Sequence, residues 1–346
     1  MSGSSLDGLD ICFCRFEYSE EGWKYDMPYS QTFDYSGDWK KKLKEAGTSS
    51  AKSFVELDKA FGEFTGQKTL DFITQNKIKQ VDFIASHGHT VFHNPEKNYT
   101  TQIGSGAHIA AVTNIPSITN FRLLDTALGG QGAPLVPIGD ELLFSEYDYC
   151  LNLGGYSNIS YNSNGVRLAY DISPVNKALN HYAGKEKQEF DKDGEIGRKG
   201  KIIAELLSVL NQLEFYDTPG PKSLGDDWLN SVFFEITRKY EENHSNYDIM
   251  RTIYEHIAIQ IAKATDQTHK KKILTTGGGA HNTFLMECIR HHNKNKIIIP
   301  DDQLVNYKES LIFAFMGVLR VENKNNCLAS VTGAKKDNSG GIIHCI

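Results

Sequence analysis

With 346 residues, 40% of them hydrophobic and 11% aromatic, the chain is long enough for two hydrophobic cores and ordinary for a globular protein. Its formal charge of −6 and pI near 6.1 exclude a basic nucleic-acid-binding face, so an anionic ligand must be met by backbone dipoles, a metal or a few placed cations. No run of about 18 apolar residues occurs, and the start lacks a basic-then-apolar leader pattern. Six cysteines without a CxxC read as reduced thiols of a cytoplasmic protein.

In chain order, Gly3, Ser4, Ser5, Leu6, Asp7, Gly8, Leu9 and Asp10 form a polar turn feeding the apolar strand Ile11 to Phe16. Backbone N–H groups and serine hydroxyls in such a turn suit phosphate oxygens, and Asp7 or Asp10 suits a magnesium ion held through water. The turn has an outgoing strand but no incoming one, so an apolar strand is expected before Met1. Helical spacing runs from Phe54 to Ile73 with an interruption near Gly66. A short strand then ends in Ser86-His87-Gly88-His89, with His93 following. These histidines lack the partners of a zinc site and suit a cleft lining better.

The stretch Phe121 to Pro137 places Arg122, Asp125 and Gln131 among apolar residues and the glycines 129, 130 and 132. It reads as a junction between two lobes with Asp125 facing a cleft. The lobes would be residues 1–131 with 326–346, and residues 132–325. Beyond it, Tyr149 to Tyr161 is strand, Gly154-Gly155 turn, strand, which repeats the logic of the first turn. A further strand delivers Asp171, followed by Pro174 and Asn176. Asp171 reads equally well as a cap for a helix over 175–183 or as a catalytic carboxylate. Lys222 lies in a rigid Pro-Gly-Pro loop, where most lysines are solvated, although this one could reach an anionic substrate. Gly277-Gly278-Gly279 follows a strand and opens toward a helix, a backbone surface on which a flat aromatic group can lie. Glu309 is placed in the first turn of the last helix, where the dipole favours the ionised form.

The segments MSGSSLDGLD, SHGHTVFHNP, FRLLDTALGGQGAPLVP, LNLGGYSNIS, YDISPVN, YDTPGPKSLG, TGGGAHN and ESLIFAFM together resemble the bacterial anhydro-N-acetylmuramic acid kinases, from the first residues to Ala334. The resemblance implies an α/β, two-lobed actin-like ATPase or sugar kinase fold whose lobes close over ATP and Mg2+. It implies a cytoplasmic homodimer that opens the anhydro ring and phosphorylates O6 in cell-wall recycling. It makes Asp171 the general base and Glu309 a carboxylate beside the sugar. Gly3 to Asp10, then Gly154, Gly155, Ser157 and Asn158, become the two phosphate turns, and Gly277 to Gly279 the adenosine contact. His87, His89, Arg122, Asp125, Gln131 and Asn176 become substrate contacts. The chain departs from the commoner family pattern at Ser4, His89, Asn120, Ser173 and Asp226, the last standing where arginine is common. The rival readings are a kinase for another sugar and a nucleotide-binding sensor without catalysis.

Overall fold

The computed structural model describes residues 1–3, 6–266 and 268–346; Ser4 and Ser5 of the first turn lie outside the described residues. The protein is α/β, and its chain forms two compact units: Met1–Leu143 with Tyr307–Ile346, and Phe144–Asn306. No helix among the described residues is long and apolar enough to cross a membrane.

The discontinuous unit opens with a long antiparallel hairpin, β1 (Gly8–Ser19) and β2 (Gly22–Asp34). The polar, aromatic stretch after Phe16 forms the rest of this ribbon. Ser2 bridges Leu9 on one side and His89 on the other, and Asp10 N–H donates to the Met1 carbonyl. Thus Met1 and Ser2 supply backbone pairing on the incoming side of the turn. A second hairpin follows, β4 (His89–Asn94) and β5 (Tyr99–Ile103). A short sheet joins β3 (Ile84–Ala85), β6 (Ser117–Thr119) and the C-terminal β12 (Ile342–His344), so the chain's last strand closes this unit.

The helix expected to break near Gly66 runs unbroken from Ala51 to Gln75. Its glycines have a packing reason. A Cβ at Gly62 would lie 2.6 Å from the Ser105 carbonyl, and one at Gly66 would lie 3.0 Å from Val112. The glycines therefore let the helix Gly106–Thr113 lie close against it, at a propensity cost of about 1 kcal/mol each. Leu9, Tyr35, Leu43, Phe61 and Ile103 fill the adjacent core.

The contiguous unit is built on a mixed sheet in the order β11-β10-β7-β8-β9. Its strands are β7 (Tyr149–Leu153), β8 (Tyr156–Ser163), β9 (Val166–Pro174), β10 (Lys272–Thr276) and β11 (Lys296–Ile298). β7 and β10 are parallel neighbours, so their C-terminal ends, each followed by glycines, lie side by side. The helices Asn176–Lys185, Asn246–Lys263 and Thr283–His292 supply much of a large buried core, including Tyr182, Phe233, Ile253, Tyr254 and Leu285. The helix Asp302–Val321 carries the chain from this unit back into the first.

Candidate active site

In the contiguous unit, the sheet order gathers three predicted groups at one strand end. The turn Gly154-Gly155 links β7 to β8, and Gly277 to Gly279 follow β10. Gly277 has φ +85°, and a Cβ there would come within 2.5 Å of Asn152 Oδ1 and 2.9 Å of the Leu153 backbone. The two glycine turns therefore touch through Asn152 and Leu153. Asn176, expected to bind the sugar, lies with them: its Nδ2 donates to the Leu153 carbonyl at 3.3 Å, and it flanks Gly278 and Gly279. The first N–H groups of its helix are already taken. Val175 and Lys177 donate to the Gly155 carbonyl, and Asn176 donates to that of Gly154.

Asp171 lies on β9, opposite Asn158 of β8. Ser157 pairs with Ser173, so Ile172 is the extra residue of a β-bulge beside the carboxylate, a device that re-aims a side chain. Ser157 was read as a phosphate contact, and the structure corrects this. It is fully buried, with its hydroxyl donating to the Ser173 carbonyl and accepting from Ser173 N–H, because it closes the bulge. Asp171 does not cap the following helix. Its Oδ2 accepts from Leu224 N–H at 2.8 Å, and its own N–H donates to the Lys222 carbonyl. Burial pushes the Asp171 carboxyl up to about 6, with the Leu224 hydrogen bond opposing that rise. A carboxyl poised there exchanges a proton near neutrality, the property a general base needs.

Lys222 is not solvated in its loop. Its ammonium donates to the Phe215 carbonyl at 2.7 Å and sits 4.5 Å from the Phe215 ring centroid. It thereby fastens the loop that supplies Leu224 to Asp171. The sequence marks this loop as rigid but gives no sign of what it grips.

In the discontinuous unit, Asp10 accepts from Thr32 Oγ1 at 2.6 Å, and burial raises its pKa against that hydrogen bond. Gly8 N–H donates to Asp7 Oδ1. Gly3 and Leu6 belong to the same turn, and Leu9 is packed in the core beneath it. His89 is buried and its Nδ1 meets Ser2 Oγ at 3.0 Å, while Tyr35 donates to the same oxygen at 2.8 Å. Arg122 Nε donates to His87 Nε2 at 2.8 Å, and its guanidinium also reaches the Gly132 carbonyl at 2.6 Å. Burial, then the Arg122 charge, holds His87 well below the ordinary imidazole range, so a neutral ring accepts from arginine.

Two expectations fail here for physical reasons. Asp125 does not face a ligand: it is fully buried and accepts from Gly132 N–H, Thr332 Oγ1 and Asn338 Nδ2. It ties the glycine loop to the C-terminal segment, while Gln131 leaves its side chain exposed and bonds Thr332 through its backbone. Glu309 does not open its helix, which begins at Asp302, so no terminal dipole acts on it. Its side chain reaches solvent, yet the protein packed around it raises its pKa, and Arg122 opposes the rise. Lys177, which the sequence does not single out, follows Asn176 directly and pairs with Asp226 Oδ1.

Glycine turns at adjacent strand ends, with a proton-exchanging carboxylate on the same sheet, make up the equipment of a phosphotransferase of the α/β class. The chain belongs to the anhydro-N-acetylmuramic acid kinase family, whose model matches residues 1–345. It is 33% identical over 367 aligned positions to the anhydro-N-acetylmuramic acid kinase of Aliivibrio fischeri, covering 99% of this chain and 97% of that one. It is 31% identical to that of Haemophilus influenzae, covering 99% and 96%. Among solved structures, it is similar to a ROK family glucokinase from Streptomyces griseus in complex with glucose and AMPPNP. That similarity has a TM-score of 0.37 at 9% identity, over 86% of this chain and 96% of that one.

Proposed function

We propose that the protein uses ATP to convert anhydro-N-acetylmuramic acid to N-acetylmuramic acid 6-phosphate, adding water across the 1,6-anhydro bond. Asp171 is the observation that carries the chemistry: a strand-end carboxylate, oriented by Leu224 and raised to about 6. It takes the proton of a water whose oxygen bonds to C1 as the C1–O6 bond breaks. The freed O6 bonds to the γ-phosphorus, and ADP leaves. Gly154, Gly155 and Gly277 to Gly279 receive the nucleotide, with Asn158 and Asn176 beside them. The first turn, Gly3 to Asp10, is a second phosphate contact. His87, His89, Arg122 and Glu309 contact the sugar.

The residues also fit a magnesium ion. Asp10 is a carboxyl whose burial raises its pKa against the Thr32 hydrogen bond and the Met1 ammonium, and Asp7 supplies a second carboxylate in the same turn. Both would hold the ion through water. Magnesium there would offset charge on the transferring phosphoryl group. The rest of the reading is a cytoplasmic homodimer with a place in cell-wall recycling.

A coupled assay of ADP release tests the proposal, comparing anhydro-N-acetylmuramic acid with N-acetylmuramic acid, glucose and water alone. Release should depend on the anhydro sugar and yield the 6-phosphate. Equal release with glucose would assign another sugar, and release at the water level with every sugar would leave a nucleotide-binding protein without this catalysis.

A further inference from the structure

The carbonyls of the Gly154-Gly155 turn face the start of the next helix. The N–H groups of Val175, Asn176 and Lys177, at the helix start beside it, are spent on the turn's own carbonyls. In a chain of net charge −6, a placed side-chain cation beside this turn is a natural source of positive charge for a phosphate. Lys177 is placed for this. Its stem crosses the turn so closely that a Cβ at Gly155 would sit 3.1 Å from Lys177 Cγ and 3.3 Å from Cε. Its ammonium lies 5.2 Å from the Tyr156 ring centroid and forms an ion pair with Asp226 Oδ1. Tyr156 donates its hydroxyl to the same oxygen at 2.7 Å.

We infer that Lys177 contacts the nucleotide's phosphates at this turn, and that Asp226, steadied by Tyr156, holds the lysine until a phosphate replaces it. The inference rests on the reading that this turn receives ATP. The pair is suited to exchange. The Lys177 and Asp226 side chains keep 36% and 62% of their surface open, and ion pairs that exposed are weakly held. A phosphate oxygen carries more charge than a carboxylate oxygen and accepts as readily, so it competes for the ammonium. Asp226 then acts against binding, because its carboxylate must give up Lys177. Lys177 is a binding residue, and Asp226 is a positioning residue that sets affinity through it.

Calorimetric titration of the full chain with MgATP, MgADP and adenosine tests this in the parent protein, Lys177→Met, Asp226→Asn and the double variant. Lys177→Met should weaken ATP and ADP roughly three- to tenfold and leave adenosine unchanged. Asp226→Asn should tighten both nucleotides by roughly threefold, and should do nothing when Lys177 is already methionine. Melting temperatures without ligand confirm that each variant is folded. If Asp226→Asn weakens ATP, or if Lys177→Met binds ATP as the parent does, the inference is overturned while the kinase reading stands. A parent chain that binds no MgATP overturns both.

Discussion

Asp171 combines two demands that oppose each other. Its surroundings keep the carboxyl protonated to about pH 6, whereas a general base must be ionised to work. The rate should therefore rise with pH through about 6 and then level, in a kcat profile. The same shift has a stability cost. Its folded pKa is raised above the unfolded value, so between roughly pH 4 and 6 the folded state binds the extra proton. Stability contributed at low pH is then lost as pH rises through that window. Asp171→Asn should lower turnover by roughly 10²–10⁴ at pH 7.5 and raise the melting temperature there, while changing neither at pH 4 by as much. If turnover stays near normal, the base is elsewhere; if the variant is less stable at pH 7.5, burial is not what moves the carboxyl. The place of Asp171 near the end of a strand was legible because strand, carboxylate and Pro174 are contiguous. That of Asp125 was not, because two of its three donors lie at Thr332 and Asn338, more than 200 positions on.

At the scale of elements, glycine could be read for presence but not for cause. Gly66 looked like a break and is a packing contact between helices, since the residue that explains it, Val112, lies in another helix. The Gly277 to Gly279 turn looked like a ligand surface, and here the structure separates two reasons within three residues. Gly277 is required by the fold, being at φ +85° with backbone of β7 against it. Gly278 is exposed, has no positive φ, and a Cβ would meet nothing nearer than Asn176 Nδ2 at 3.7 Å. Gly277→Ala should thus cost about 1–3 kcal/mol of stability in chemical denaturation. Gly278→Ala should keep parental stability yet weaken ATP, because only a bound ligand would fill that space. Unchanged affinity in a stable Gly278→Ala would take this turn out of the nucleotide site. The helix start of Glu309 was misplaced for a related reason. Residues 302–308 carry mixed polar and apolar side chains that blur the boundary, and boundaries are the weakest part of a periodicity reading.

At the scale of the whole molecule, the two units are unequal in how they depend on the chain. Phe144–Asn306 is contiguous and holds its own large core, whereas the other unit needs its C-terminal segment to be complete. That segment gives β12 to β6, and supplies Thr332 and Asn338 to the buried Asp125. Asn326, fully buried, adds hydrogen bonds to the Met316 and Gly340 carbonyls. Deleting residues 326–346 would leave the Asp125 charge buried with one protein donor, at a cost of about 3–5 kcal/mol for breaking such a site. It would also unpair one edge of β6. A domain's whole stability is about 5–15 kcal/mol, so these losses together should unfold the first unit. The second unit loses no contact within itself and should remain folded. Hydrogen exchange on the truncated chain would read this directly: protection should persist in 144–306 and vanish around Ile118 and Phe121 to Gly132. Protection retained at Phe121 to Gly132 would show that Asp125 is satisfied without the C-terminal segment. Loss of protection throughout would show that the two units fold only as one.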